Sequence, residues 1–323
     1  MTRRDMAHRA IRLLAGRLAV TGGLLLLLSV VVFAGTDLLP GDPATARLGG
    51  LGPAEVAEAR ARLGLDRPLA ERYGEWVTGL LRGDLGTSAE GRPVGELLSE
   101  RLGNSLLLAG LTLAVLVPGS LLLGVAAGLR QGRAVDRAVT TGMLLLAAVP
   151  EFVVAGGLVL LFAVTLGWLP AVSLVPAGAS PLSVPEVLVL PVLSLLLLGL
   201  AYATRLIRAA TAAAARAPHV EFMRINGLPP RTVLREGVLP AVLPVALQVW
   251  LTTGAGLIGG AVLVERVFGY PGIGDVLIRA VQSGDLPVVQ ALAMLLGGVM
   301  LLALFAADLS TRALTPVLRT AGR

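Results

Sequence analysis

Six apolar stretches of about bilayer length restrict this chain more than any other feature: roughly 18–35, 105–129, 138–167, 187–204, 238–264 and 287–309. About twenty apolar residues cross the hydrocarbon of a membrane as a helix, because every backbone polar group must be satisfied inside the segment. Apolar residues make up 55% of the 323 positions and charged residues only 15%, where a soluble domain carries about a quarter charged. The mean hydropathy is +0.81. The chain reads as an all-α polytopic membrane protein with six transmembrane helices.

Arginine placement orients it. Seventeen of the 27 basic residues fall on one side of the spans: in the segment before the first, in the 130–137 and 205–237 loops, and in the tail. The long 36–104 loop has eight arginines against eleven acids, and the 168–186 loop has none. The positive-inside rule then puts both termini in the cytoplasm. The expected layout is a cytoplasmic N-terminus at 1–17, a first helix and long extracytoplasmic loop at 18–104, a transmembrane core at 105–312 with a cytoplasmic loop at 205–237, and a tail at 313–323. A cleaved signal peptide ending near Val32-Phe33-Ala34 is an alternative for the first span.

All 27 basic residues are arginine, and they flank spans, so the pI near 11 reflects topology and not nucleic-acid binding. With no cysteine, disulfides, thiolate chemistry and cysteine-held metals are excluded.

The outer loop is patterned. Residues from Pro53 to Leu63 read as a short helix closed by Gly64. Leu69, Tyr73, Trp76 and Leu80 recur at helical spacing until Gly83, and Val94, Leu97, Leu98 and Leu102 do the same before the second span. Such helices lie on the membrane or pack on the bundle. The spacing leaves both open.

Residues 218–244 form a charged island between the fourth and fifth spans. Ala209–Ala217 is a strong helix former that extends the fourth span. Pro218 interrupts it, leaving Val220–Asn226 as a short helix. Gly227 suits a C-cap with positive φ, and Pro229-Pro230 stiffens the exit. A short stiff element held at both ends by spanning helices can transmit the motion of a docked subunit. Glu221 and Arg224 would present charge, and Phe222, Met223 and Ile225 apolar area. The competing reading is a solvated loop.

Within the spans, Glu151 is the one carboxylate well inside. A charge at mid-bilayer costs on the order of 3 kcal/mol, so such a group faces a cavity or a partner. It lines a pathway, or it marks a span kinked at Pro150. Gln248 and Gln290 serve either a pathway or interhelical hydrogen bonds. The 265–286 segment, with Glu265, Tyr270, Pro271, Gly272, Gly274 and Asp275, reads as a tight re-entrant or surface turn on the outer face.

In the island, Glu221 is followed by Gly227 six positions on and by Leu239-Pro240 twelve and thirteen beyond that. Four further strings accompany it: Leu39-Pro40-Gly41-Asp42-Pro43, Leu63-Gly64-Leu65-Asp66-Arg67-Pro68-Leu69, Gly83-Asp84-Leu85-Gly86-Thr87-Ser88 and Val267-Phe268-Gly269-Tyr270-Pro271-Gly272-Ile273-Gly274. In this order the chain resembles the permease subunits of dipeptide/oligopeptide ABC importers, over about residues 10–316. The island resembles their EAA loop, with Phe222 and Met223 in place of the alanine pair. Where relatives carry an acid, an aromatic and a proline this chain has Asp285-Leu286-Pro287, and where they often have proline before the second span it has Gly103.

The resemblance implies a type I importer bundle in a bacterial or archaeal cell membrane. It implies a second, similar permease, two cytoplasmic ABC ATPases and an extracytoplasmic substrate-binding protein. Glu221, Phe222, Met223, Arg224, Gly227, Leu239 and Pro240 would then form the ATPase-coupling loop. Glu151, Gln248 and Gln290 are the pathway candidates. Tyr270, Pro271, Gly272, Gly274 and Asp275 would lie at the binding-protein face. Peptides are the cargo implied, with nickel or glutathione as alternatives.

Two other classes fit less well. Gly272-Ile273-Gly274-Asp275 mimics an intramembrane aspartyl protease string, but Asp308, the one candidate second aspartate, lies at the far end of its span. His8 and His219 both fall in the arginine-rich segments, so no histidine metal site forms in the bilayer. Without lysine there is no phosphate-binding loop, so ATP hydrolysis belongs to other subunits and no cofactor or metal is expected. A stand-alone secondary transporter would show internal repeats or paired intramembrane charges, and neither is evident.

Overall fold

The computed structural model describes residues 3–37, 66–176 and 178–314. The helix expected over 53–63 and the 39–43 string lie outside them. The described chain is helical: α1 (Arg3–Asp37), α2 (Leu69–Leu81), α3 (Val94–Leu129), α4 (Ala134–Ala148), α5 (Glu151–Leu158), α6 (Glu186–Ala214), α7 (Pro218–Ile225), α8 (Leu239–Phe268), α9 (Ile273–Ser283) and α10 (Leu286–Leu314), with single short turns at Pro181–Ser183 and Pro230–Thr232. Among the described residues, five helices are long and apolar enough to cross a membrane, and six crossings result if the bent pair α4 and α5 counts as one.

That pair occupies the third apolar stretch, 138–167, and breaks at Pro150, where the sequence allowed a kink. The chain bends by 102° between α4 and the segment Glu151–Thr165. Pro150 explains the bend, since it has no N–H and disfavours helical backbone in the residue before it. Val149 is accordingly extended, with φ −94° and ψ 128°. Beyond Leu158 the helix widens into a π turn over Val159–Thr165.

Val94, Leu97, Leu98 and Leu102 also depart from the expected arrangement. They do not form a separate surface helix but the first turns of the 36-residue α3. At about 1.5 Å per residue α3 is roughly 54 Å long, well beyond a 30 Å hydrocarbon core. Gly103 keeps the backbone N–H that a proline would lack, so the helical ladder runs through.

The structure divides into two compact units. One comprises Met1–Gly103 with Gly272–Leu302, the other Asn104–Pro271 with Ala303–Arg323. In the first, α1 and α10 approach closely: a methyl group on Gly297 would lie 2.5 Å from Leu28. The amphipathic α2 packs on α1, so of the two placements left open by its spacing it takes the bundle. Tyr73 and Trp76 each lie with ring centroids 5.5 Å from that of Phe33, and the Tyr73 hydroxyl shares a 2.8 Å hydrogen bond with Ser29. The start of α3 buries Val94 and Leu98 against Ile273 and Ala280 of α9 and Val288 and Leu292 of α10.

The 83–93 turn of this unit is held from within and from below. Asp84 Oδ1 accepts from the Gly86 N–H at 2.9 Å, and the Val94 N–H returns to the Gly86 carbonyl at 3.0 Å. Asp285, buried ahead of α10, accepts from the Ala89 N–H at 2.8 Å.

In the second unit α3, α5, α6 and α8 surround a core that includes Leu108, Leu116, Leu190, Leu195, Phe268 and Tyr270. Small residues set the spacing between α3 and α6. A methyl group on Gly128 would stand 2.6 Å from Thr211 Cβ, and one on Gly124 2.7 Å from Ile207 Cγ2. Close backbone approach of this kind is how helices associate where lipid is as apolar as leucine.

Candidate functional site

The island folds as its residues suggest. Pro218 starts α7, where its missing N–H and fixed φ suit the first helical position. The helix ends in a Schellman motif: the Gly227 N–H donates to the Arg224 carbonyl at 3.0 Å and the Leu228 N–H to the Met223 carbonyl at 3.2 Å. Gly227 has φ +73°, a left-handed conformation that glycine adopts without the steric cost borne by other residues. Pro230–Thr232 and a π turn over Val233–Val238 then lead into α8. Pro240 lies in the first turn of α8, where it cannot donate to the preceding turn.

One side of α7 is anchored. Val220 is fully buried among Ile207, Ala214, Val233, Val238 and Val242. Met223 turns toward the same core, its Sδ 3.0 Å from where a methyl group on Gly237 would stand. His219 Nε2 donates to the Gly237 carbonyl at 3.0 Å. Gly237 is therefore the seat on which α7 rests. The opposite side is open, with Phe222 68% and Ile225 77% exposed. Glu221 and Arg224 are exposed as well. An open groove of about 470 Å³ runs alongside, lined by Ala215, Arg216, Glu221, Arg224 and Ile225. Of the apolar trio Phe222, Met223 and Ile225, Met223 does not join the open face.

Near the same end of the second unit, Asp136 of α4 is buried and grips Arg208 of α6. Arg208 Nε donates to Oδ1 and Arg208 Nη2 to Oδ2, the latter at 2.8 Å. The Gly132 N–H and the Thr140 hydroxyl complete the shell of the carboxylate. A bidentate arginine pair fixes orientation as well as distance. Sequence reasoning did not find it, because the partners are 72 residues apart with no local pattern joining them.

The pathway candidates separate. Glu151 opens α5 just after Pro150 and is half-buried, with its carboxylate against the α8 backbone at Gly260. Gln248 is exposed on α8. Gln290 is buried, and its amide donates to Thr36 Oγ1 at 2.7 Å. It is an interhelical tie between α10 and α1.

The 265–286 segment differs most from expectation. In place of a bare turn it contains α9, whose Ile273, Val276, Leu277 and Ala280 repeat at helical spacing and could have revealed it. Tyr270, Gly272, Gly274 and Asp275 are buried and Pro271 is half-buried, so this string is not an open docking face. In the second unit the Tyr270 hydroxyl donates to the Asn104 carbonyl at 2.9 Å, and Asn104 Nδ2 donates to the Pro271 carbonyl at 2.9 Å. Glu265, fully buried, accepts from the Ser105 hydroxyl at 2.5 Å. Burial, with Glu265 adding to it, pushes the Tyr270 phenol well above its ordinary range. The exposed side of α9 is made by Arg279, Val281, Gln282 and Ser283.

Residues 120–320 match the family described as "Binding-protein-dependent transport system inner membrane component", and residues 10–94 match the N-terminal region of such components. The chain belongs to this family. It is therefore a multi-pass inner membrane permease of a binding-protein-dependent ABC importer. A Brucella abortus protein named as a peptide transport system permease is 34% identical to this permease over 287 residues, covering 88% of this chain and 91% of that one. The oligopeptide transport system permease protein OppB of Mycobacterium tuberculosis is 34% identical over 281 residues, covering 83% and 86%. A chain of the inward-facing MetNI methionine ABC transporter superposes with a TM-score of 0.52 over 68% of this permease and 96% of that chain, at 19% identity. That likeness shows the fold, an all-α importer bundle.

Proposed function

We propose that this permease carries peptides across the membrane under the power of separate ATPase subunits, and that α7 is the element those ATPases grip. The observation that carries the second part is the two-sidedness of α7. Val220 and Met223 lock it into the bundle, while Phe222 and Ile225 stand in the open beside Glu221, Arg216 and Arg224. An exposed pair of large apolar side chains flanked by charge is what a partner's cleft would bury. The arginine excess on the segments around α7 favours a cytoplasmic position for it and for both termini.

The peptide cargo is supported by the names of the relatives in Brucella and Mycobacterium. The assembly would hold a second, similar permease, two ATPases and a substrate-binding protein outside. Catalysis then lies with the ATPases, and this chain contributes the conduit and the handle.

Gly227→Asp tests the handle. Nothing lies within 4 Å of a Cβ at Gly227, and aspartate tolerates left-handed backbone better than most residues. The variant should insert and fold, yet lose ATP-driven peptide uptake in the reconstituted complex. Normal uptake by an inserted Gly227→Asp chain would overturn the assignment of α7.

A further inference from the structure

We propose that Glu151 binds a cationic group of the cargo, namely the free α-ammonium group of a peptide in transit; this rests on the import reading above. The carboxylate sits at the 102° elbow between α4 and α5. Pro150 sets the elbow, and Gly260 of α8 makes room for the head group. A methyl group on Gly260 would lie 2.9 Å from Oε1 and 3.2 Å from Oε2.

The carboxylate lies between two segments long and apolar enough to cross a membrane. From Ala134 to the elbow α4 rises roughly 22 Å, and Gly260 is eight residues, about 12 Å, from the end of α8 at Phe268. Both put the carboxylate inside the membrane-spanning part of the second unit, nearer the end that carries Phe268 than the end that carries α7.

No hydrogen bond or ion pair to Glu151 is found among the described residues, whereas Asp136 is saturated by Arg208, Gly132 and Thr140. An ionised, half-exposed carboxylate within a spanning segment is stabilised by a counter-charge or donor, and the described residues place none against it. The surface beside it is apolar or featureless: Phe152 is 59% and Val153 46% exposed, and Gly156, Gly157, Gly256 and Gly259 are open. Glycines on both helices leave space for a ligand's main chain to approach, and the single acid fixes which end of that ligand is held. An ammonium group fits this arrangement, and a carboxylate is repelled by it.

The test uses the complete complex in proteoliposomes, with trialanine and N-acetyl-trialanine each supplied with the binding protein at concentrations well below saturation. Glu151→Gln should reduce ATP-driven uptake of trialanine by roughly tenfold, the weight of one charge-assisted hydrogen bond, and leave the acetylated peptide unchanged. Glu151→Asp should recover part of the loss. Gly260→Ala, which displaces the head group without removing it, should produce the same selective loss and guards against a Gln variant that fails to assemble. Equal effects on both peptides, or none, would overturn the proposal. Equal loss accompanied by separation of the two permeases would assign the counter-charge to the second permease instead. If the unaltered complex imports neither peptide, the import reading fails and takes this inference with it; if it imports both and Glu151→Gln does not discriminate, only this inference fails.

Discussion

The two ends of the chain's fifth apolar segment are joined to their neighbours by nearly the same local device and use it for opposite purposes. Before α8, helix α7 closes on Gly227 with φ +73°; after it, α8 closes on Gly269 with φ +60°. Both are Schellman motifs. The Leu228 N–H reaches the Met223 carbonyl at 3.2 Å, and the Tyr270 N–H reaches the Glu265 carbonyl at 2.8 Å. Both are followed within two residues by proline. Yet Leu228 is exposed beside Phe222 and Ile225, whereas Tyr270 and Phe268 are fully buried. Turn chemistry dictates that the chain reverses. What the turn presents afterwards depends on whether the bundle has side chains to lay over it.

The largest expected difference between the two turns comes from removing their aromatic groups. Tyr270→Ala would delete a fully buried ring and its hydrogen bond to Asn104. Truncations of that size in a packed core cost about 3–5 kcal/mol. The unfolding midpoint of the purified protein in detergent should fall sharply. A midpoint within a degree or two of the unaltered protein would mean that the second turn is no more embedded than the first.

The glycines give a smaller and more discriminating contrast. Placing alanine in left-handed backbone costs roughly 1–2 kcal/mol, and this applies at both sites. At Gly227 nothing else opposes a methyl group, while at Gly269 it would also meet Val172 Cγ1 at 3.1 Å. Gly269→Ala should therefore destabilise more than Gly227→Ala in the same unfolding assay. Equal shifts would show that Val172 gives way freely.

Much of this was legible in advance, for reasons that separate cleanly. Apolar runs of bilayer length are a strong local signal, and the break at Pro150, the short helix after Pro218 and the positive φ at Gly227 follow from the chemistry of one or two residues. Helix α9 was hidden because Gly272, Gly274 and Pro271 signal a turn just where Ile273, Val276, Leu277 and Ala280 begin a helical face. Direction of burial was the harder matter. Phe222 and Met223 are adjacent and both apolar, and Met223 turns inward with Val220 onto Gly237, fourteen residues on. Gln290 and Gln248 look alike in sequence, but Thr36 on α1 occupies one of them. Asp136 and Arg208 meet through tertiary packing alone, and no periodicity announces such a pair.

The smallest expected change in stability is also the one with the largest consequence for the proposed handle. Phe222 is 68% exposed, and surface substitutions that disturb no cap, core contact or buried polar group stay within about 0.5 kcal/mol. Phe222→Ala should therefore insert normally and unfold at the same temperature, in direct contrast to Tyr270→Ala. If a partner's cleft takes the ring, however, its loss removes an anchor of the kind worth about 2 kcal/mol or more, roughly a 30-fold weakening. The measurement is affinity between detergent-purified permease pairs and their ATPase subunits, with ATP-driven uptake alongside. Unchanged affinity and unchanged uptake would leave Phe222 as an ordinary exposed aromatic residue, and the contrast between the two turns would then have no bearing on coupling. Met223→Ala separates the alternatives further. Its side chain rests on Gly237, so its loss should lower stability first and weaken ATPase binding only as α7 loosens on its seat.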